Sequence, residues 1–168
     1  MTVSAATRRF VRERAQRRCE YCHADERWQF VRFTTDHVRP QSAGGSDDAD
    51  NLALACRNCN ERRGNRLDGR DTETGAVVSL FNPRRDRWTE HFIWDVTQLR
   101  IVGQTPTGRV TVEFLDLNDD RHEGTVIRIR QRDLADGYHP PPDDPVLSNA
   151  ALGPCSSVSH VPKVSKAA

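Results

Sequence analysis

The stretch TTDHVRPQSAGGSDDADN, residues 34–51, decides how this chain is read. A β-prone run ends on the pair Asp36-His37, and a loop of small, acidic and turn-forming residues follows. The stretch lies between two short cysteine pairs. Cys19-x-x-Cys22 precedes it and Cys56-x-x-Cys59 follows it, with 33 residues between the pairs. Two such knuckles can present four thiolates to one tetrahedral zinc ion. Four thiolates close the coordination shell, so the expected role of this Zn2+ is structural. Cys155 has no partner knuckle and is expected to be uninvolved.

Working outward, AATRRFVRERAQRR (5–18) predicts a helix with Thr7 as a possible cap and Phe10, Val11 and Ala15 as a narrow buried stripe. RWQFVRFTTDHV (27–38) predicts one or two strands of a hairpin. NLALACRNCNERRGNR (51–66) predicts a helix that Gly64 and Asn65 stop. Further on, residues 76–81, 91–96, 98–103 and 108–117 predict strands, and 124–137 fits either strand or helix. Trp88, Phe92 and Trp94 are expected to pack in a core. His91, His122 and His139 show no ligand spacing and are expected at the surface. Past residue 142 the chain turns polar and Pro/Ser-rich, and 143–168 is expected to be a disordered tail.

Net charge is only +1. Its distribution is uneven: residues 1–70 carry 14 arginines against 10 acids, and nearly every basic residue is Arg. Arginine grips phosphate through a two-pronged donor fork, which suits nucleic acid. Arg8, Arg9, Arg12, Arg39, Arg57, Arg62, Arg63 and Arg66 are the candidate phosphate contacts; Arg39 could equally pair with the acids at 47–50. No apolar run is long enough to span a membrane. The opening MTVSAATRRF lacks a signal-peptide core, so a cytoplasmic location is expected.

The pieces Cys19-x-x-Cys22, Asp36-His37-Val-Arg-Pro, Gly44-Gly45, Asp50-Asn51-Leu52 and Cys56-Arg-Asn-Cys59-Asn60 together resemble the HNH endonucleases, the ββα-metal or His-Me finger nucleases. The second half resembles the β-rich extension of small bacterial HNH proteins. The implied fold is α+β: a ββα-metal core stapled by the four-cysteine zinc site (1–70), with a β-rich C-terminal extension (71–142). The implied activity is metal-dependent hydrolysis of DNA phosphodiester bonds. In that resemblance His37 is the general base, Asp36 and Asn60 hold Mg2+ or Mn2+, and Asn51 braces the loop behind His37. Asn60 stands where some members carry His.

The residues support this division of labour by themselves. Neighbours in a strand point to opposite faces, so Asp36 and His37 cannot both bind one ion in regular geometry. A carboxylate and an amide oxygen suit a hard cation, and a neutral imidazole can take a proton from water. Asn51 is also a good helix cap. DNA is the expected partner, with no membrane and no small-molecule substrate. The alternative is a non-catalytic, zinc-stapled nucleic-acid-binding module.

Overall fold

The computed structural model describes residues 3–148. The expected tail from 149 onward, Cys155 included, lies outside the described residues. The first helix, α1, runs Ala5–Arg14. Ser4, not Thr7, caps it: the Ser4 hydroxyl accepts from the Thr7 amide at 3.0 Å. Gln16 and Arg17 adopt left-handed backbone angles, which ends the helix short of the expected residue 18. Val11 is fully buried, but Phe10 is half exposed, so the buried stripe is narrower than expected.

Strand β1 (Thr34–His37) pairs antiparallel with β2 (Leu52–Ala55), placing Asp36 opposite Ala53 and His37 opposite Leu52. The pairing corrects two expectations. Residues 27–33 form a 3-10 turn and loop, not a hairpin arm. Leu52–Ala55 is a strand buried on both faces, whereas a helix was expected to begin there. A short apolar run fits either state. What settles it is Cys56, whose extended backbone and sulfur cap start the helix α2 (Arg57–Arg63) only afterwards. Gly64 ends α2 as expected. A strand pair followed by a short helix is the ββα unit, and the fold class is α+β.

The remaining strands are short: β3 (Asp68–Arg70) with β4 (Val77–Ser79), and β5 (Phe92–Trp94) with β6 (Ile101–Gly103). The β3–β4 hairpin bridges the boundary expected at 70/71. Helix α3 is Trp88–His91, α4 is Pro106–Phe114 and α5 is Thr125–Ala135. The strand expected at 108–117 is therefore mostly helix. Thr105 caps α4 through its hydroxyl, and Pro106 sits in the first turn. Gly108 lets α4 press on the preceding hairpin: a Cβ there would lie 2.2 Å from the His91 carbonyl oxygen. Helices thus outweigh strands in a region expected to be β-rich.

One apolar core runs through both halves, from Val11 and Leu54 to Phe92, Trp94 and Leu117. Trp88, Phe92 and Trp94 are buried as expected. The Trp88 indole donates to the Tyr21 carbonyl at 3.0 Å, and Arg84 pairs with Glu20. The first residues of the expected tail also pack. The Trp94 amide donates to Pro145 and the Leu147 amide to Trp94, while Asp144 accepts from the Trp94 indole and contacts His23 at 2.7 Å. Among the described residues no helix is long and apolar enough to cross a membrane.

Candidate functional site

The sulfurs of Cys19, Cys22, Cys56 and Cys59 all lie within 4.8 Å of one another, and those of Cys22 and Cys56 are 3.8 Å apart. A tetrahedron with zinc–sulfur bonds of 2.3 Å has edges of about 3.8 Å, so the four residues fit zinc. The backbone holds the knuckles in register. The Glu20 amide donates to the Leu54 carbonyl, and the Leu54 amide donates to the Glu20 carboxylate. The first knuckle is thus tied to the strand that leads into the second. Burial pushes the Cys19 thiol well above its ordinary pKa. A zinc ion among the sulfurs would favour the thiolate forms.

Asp36 and His37 diverge as strand neighbours should. Asp36 is buried and His37 half-buried. The Tyr21 hydroxyl donates to Asp36 Oδ2 at 2.6 Å, and Arg63 Nη1 lies 3.2 Å from the same oxygen. Oδ1 receives only a long contact from Arg63, at 3.4 Å, and keeps acceptor capacity. Burial pushes the Asp36 carboxyl up, against the pull of Arg63 and Tyr21. A divalent cation would favour its ionised form. Asn60 is half-buried on α2, and no side-chain hydrogen bond engages it among the described residues.

The loop between β1 and β2 is held by Asn51. Its Oδ1 accepts from the Arg39 amide at 2.9 Å; its Nδ2 donates to the carbonyls of Arg39 at 3.0 Å and Ser46 at 2.8 Å. Gly45 permits this: a Cβ there would lie 1.8 Å from the Arg39 oxygen and 2.7 Å from Asn51 Nδ2. Gly45→Ala should therefore cost about 1–3 kcal/mol and loosen the loop. Faster amide exchange at Val38 and Arg39, with zinc content unchanged, would be the expected result; unchanged exchange would contradict it. At the loop's far side Asp47 Oδ1 lies 2.8 Å from His37 Nε2, and Gln41 donates to the same oxygen. The His37 hydrogen bond is the main cause holding the Asp47 carboxyl below its ordinary range. The sequence reading missed Asp47; the signal available was only its place in an acid-rich loop.

The candidate phosphate-binding arginines separate sharply. Arg63 is 2% exposed. It donates to the carbonyls of His37 (3.0 Å) and Val38 as well as to Asp36. It is a strap between α2 and β1, and burial removes it from any outward-facing set. Arg12 is spent on Glu26 and the Phe33 carbonyl. Arg62 is spent on Asp119 and the Asp116 carbonyl. Arg62 also fills the cluster of Asp116, Asp119 and His122, supplying the cation those groups need. Arg57 pairs with Glu61, and Arg66 lies over the Phe114 ring. Arg8, Arg9 and Arg39 are exposed, and among the described residues none of them forms a salt bridge. Arg39 donates to the Ala43 carbonyl and does not pair with the acids at 47–50.

Removing Arg63 should leave Asp36 buried and uncompensated. Arg63→Met is expected to lose about 3–5 kcal/mol in urea unfolding, and Asp36→Leu added to it should recover part of that loss. Equal stability of Arg63→Met and the wild type would refute the strap.

A four-sulfur staple, a strand pair presenting an Asp-His step and a short following helix define a metal-stapled ββα domain. Residues 19–66 match the family model of the HNH endonuclease. No curated protein matches the chain, and no solved structure matches it.

Proposed function

We propose that this protein is a metal-dependent endonuclease that hydrolyses DNA phosphodiester bonds, with His37 as general base. The observation that carries the reading is the His37 side chain, half-buried at the end of β1, next to a loop pinned by Asn51 and hydrogen-bonded through Nε2 to Asp47. An ionised carboxylate only accepts, so Nε2 carries the proton and Nδ1 carries the lone pair. Nδ1 takes the proton of a water as that water's oxygen attacks phosphorus. The bond from phosphorus to the 3′ oxygen breaks, leaving a 5′-phosphate and, after protonation from solvent, a 3′-hydroxyl. His37 then returns its proton to solvent. Asp36 through Oδ1 and Asn60 through its amide oxygen are the residues that would hold Mg2+ or Mn2+. Such a cation supplies charge neutralisation at the phosphate. Arg8, Arg9, Arg39, Arg57 and Arg66 remain as outward-facing candidates for the duplex backbone.

A second reading is a zinc-stapled nucleic-acid-binding module without catalysis. It is favoured by Arg63, which already supplies a cation to Asp36. Incubation with supercoiled plasmid separates the two. Nicked or linear product with Mg2+ or Mn2+, and none without added divalent ion, is the expected result. Retarded but uncut plasmid with either ion would leave the binding module standing.

A further inference from the structure

A cleft with a volume of about 360 Å3 opens beside the candidate site, between the loop that follows His37 and the extension. Val38, Arg39 and Asn51 form one wall, and Asn82, Arg84 and Arg85 form the other. Arg63 lies between them. Four arginines thus line one cleft against a single carboxylate, Asp50. Two of the four carry buried donors with no acceptor: Nε of Arg63 and Nε of Arg84. The Nε of Arg14, outside the cleft, is buried and unpaired as well, so the case for the cleft rests on its four guanidinium groups against one carboxylate. The Arg84 guanidinium is pushed down to about 10, chiefly by burial and then by the nearby Arg14, although it pairs with Glu20. An anion would relieve that cost. Arg85 stays exposed, and among the described residues it forms no salt bridge. It is held at the rim by the Asn82–Asp86 turn, in which the Asn82 carbonyl accepts from the Arg85 and Asp86 amides.

We propose that this cleft binds a phosphate of the nucleic-acid strand, with Arg39 and Arg85 as outer donors and the side chains of Arg63 and Arg84 as its inner wall. Its identity as a strand phosphate rests on the nuclease reading; its preference for a tetrahedral oxyanion does not. The cleft touches the residues directly after His37, and Arg63 grips the His37 carbonyl. A phosphate seated there lies against the chain that directly follows His37. The extension then supplies half of a substrate site and is more than a structural lid.

Two measurements on the full chain test this. In the His37→Ala background, duplex DNA affinity is measured against salt concentration. Arg85→Ala should weaken binding roughly tenfold, the loss expected for one charge-assisted hydrogen bond. It should also lower the slope of log affinity against log salt by about 1. Arg85→Lys should keep the slope. Separately, inorganic phosphate should raise the melting temperature of the wild type more than an equal ionic strength of chloride, and the increment should shrink in Arg85→Ala. Unchanged DNA affinity and slope in Arg85→Ala would overturn the strand assignment, even if phosphate still stabilises the fold. Absence of a phosphate increment in the wild type would overturn the anion site itself. A wild type that binds phosphate here but no DNA would sink the nuclease reading and leave a free-phosphate site only.

Discussion

His37→Ala should lose plasmid cleavage by about 10²–10⁴-fold, the usual contribution of a positioned general base. Zinc content and melting temperature should hardly move. His37 is not among the four sulfurs, it is only half-buried, and its side chain has one hydrogen-bond partner, Asp47, among the described residues. Its backbone duties persist in the variant, because β1 pairing and the Arg63 contact use main-chain atoms. Cleavage equal to wild type would remove His37 from the chemistry. Cleavage lost together with zinc would show that the substitution damaged the fold, so metal content is measured alongside rate.

Cys56→Ser should instead abolish the fold. Structural zinc contributes about 10–16 kcal/mol of apparent binding energy, as much as the whole stability of a typical domain. Cys56 also caps α2 by accepting from the Cys59 amide at 3.4 Å, a role the serine hydroxyl can take over, so the expected loss falls on the metal site and not on the helix start. The sulfur cluster borders the core, with Cys19 and Cys59 buried beside Tyr21 and Leu54. Stripping zinc should therefore collapse the circular dichroism spectrum and shift tryptophan emission, since Trp88 hydrogen-bonds to Tyr21 between the cysteines of the first knuckle. A native spectrum in protein shown to be metal-free would refute a structural role for the ion.

The candidate site was more legible in the sequence than the fold around it. Cysteine spacing, the Asp-His step and the double glycine are local requirements, and each can be read from a few adjacent residues. Gly45 illustrates why: only a missing side chain lets Arg39 and Asn51 meet. Long-range outcomes were not legible in the same way. Leu52–Ala55 became a strand because β1 offered it a partner and Cys56 delayed the helix, and nothing within those four residues says so. Residues 106–114 became a helix because a Thr-Pro start outweighed a β-branched run. Arg63 looks like its exposed neighbours in composition. Only the heptapeptide helix, by turning it inward over Asp36, makes it a strap rather than a surface charge. Asp47 and Arg85 were missed for the same reason: their roles come from what the chain brings near them.

The hydrogen bond from Trp88 to Tyr21, and the pairing of Arg84 with Glu20, have an implication for how such chains can diversify. The matched segment ends at residue 66, yet its first knuckle is grasped by side chains some 64 to 67 positions downstream. Grafting a foreign C-terminal half onto this core would succeed only if the newcomer brought equivalents of both grips. The two halves are therefore constrained to drift as one unit, and a domain shuffle at the end of the matched segment would inherit a loosened metal clasp.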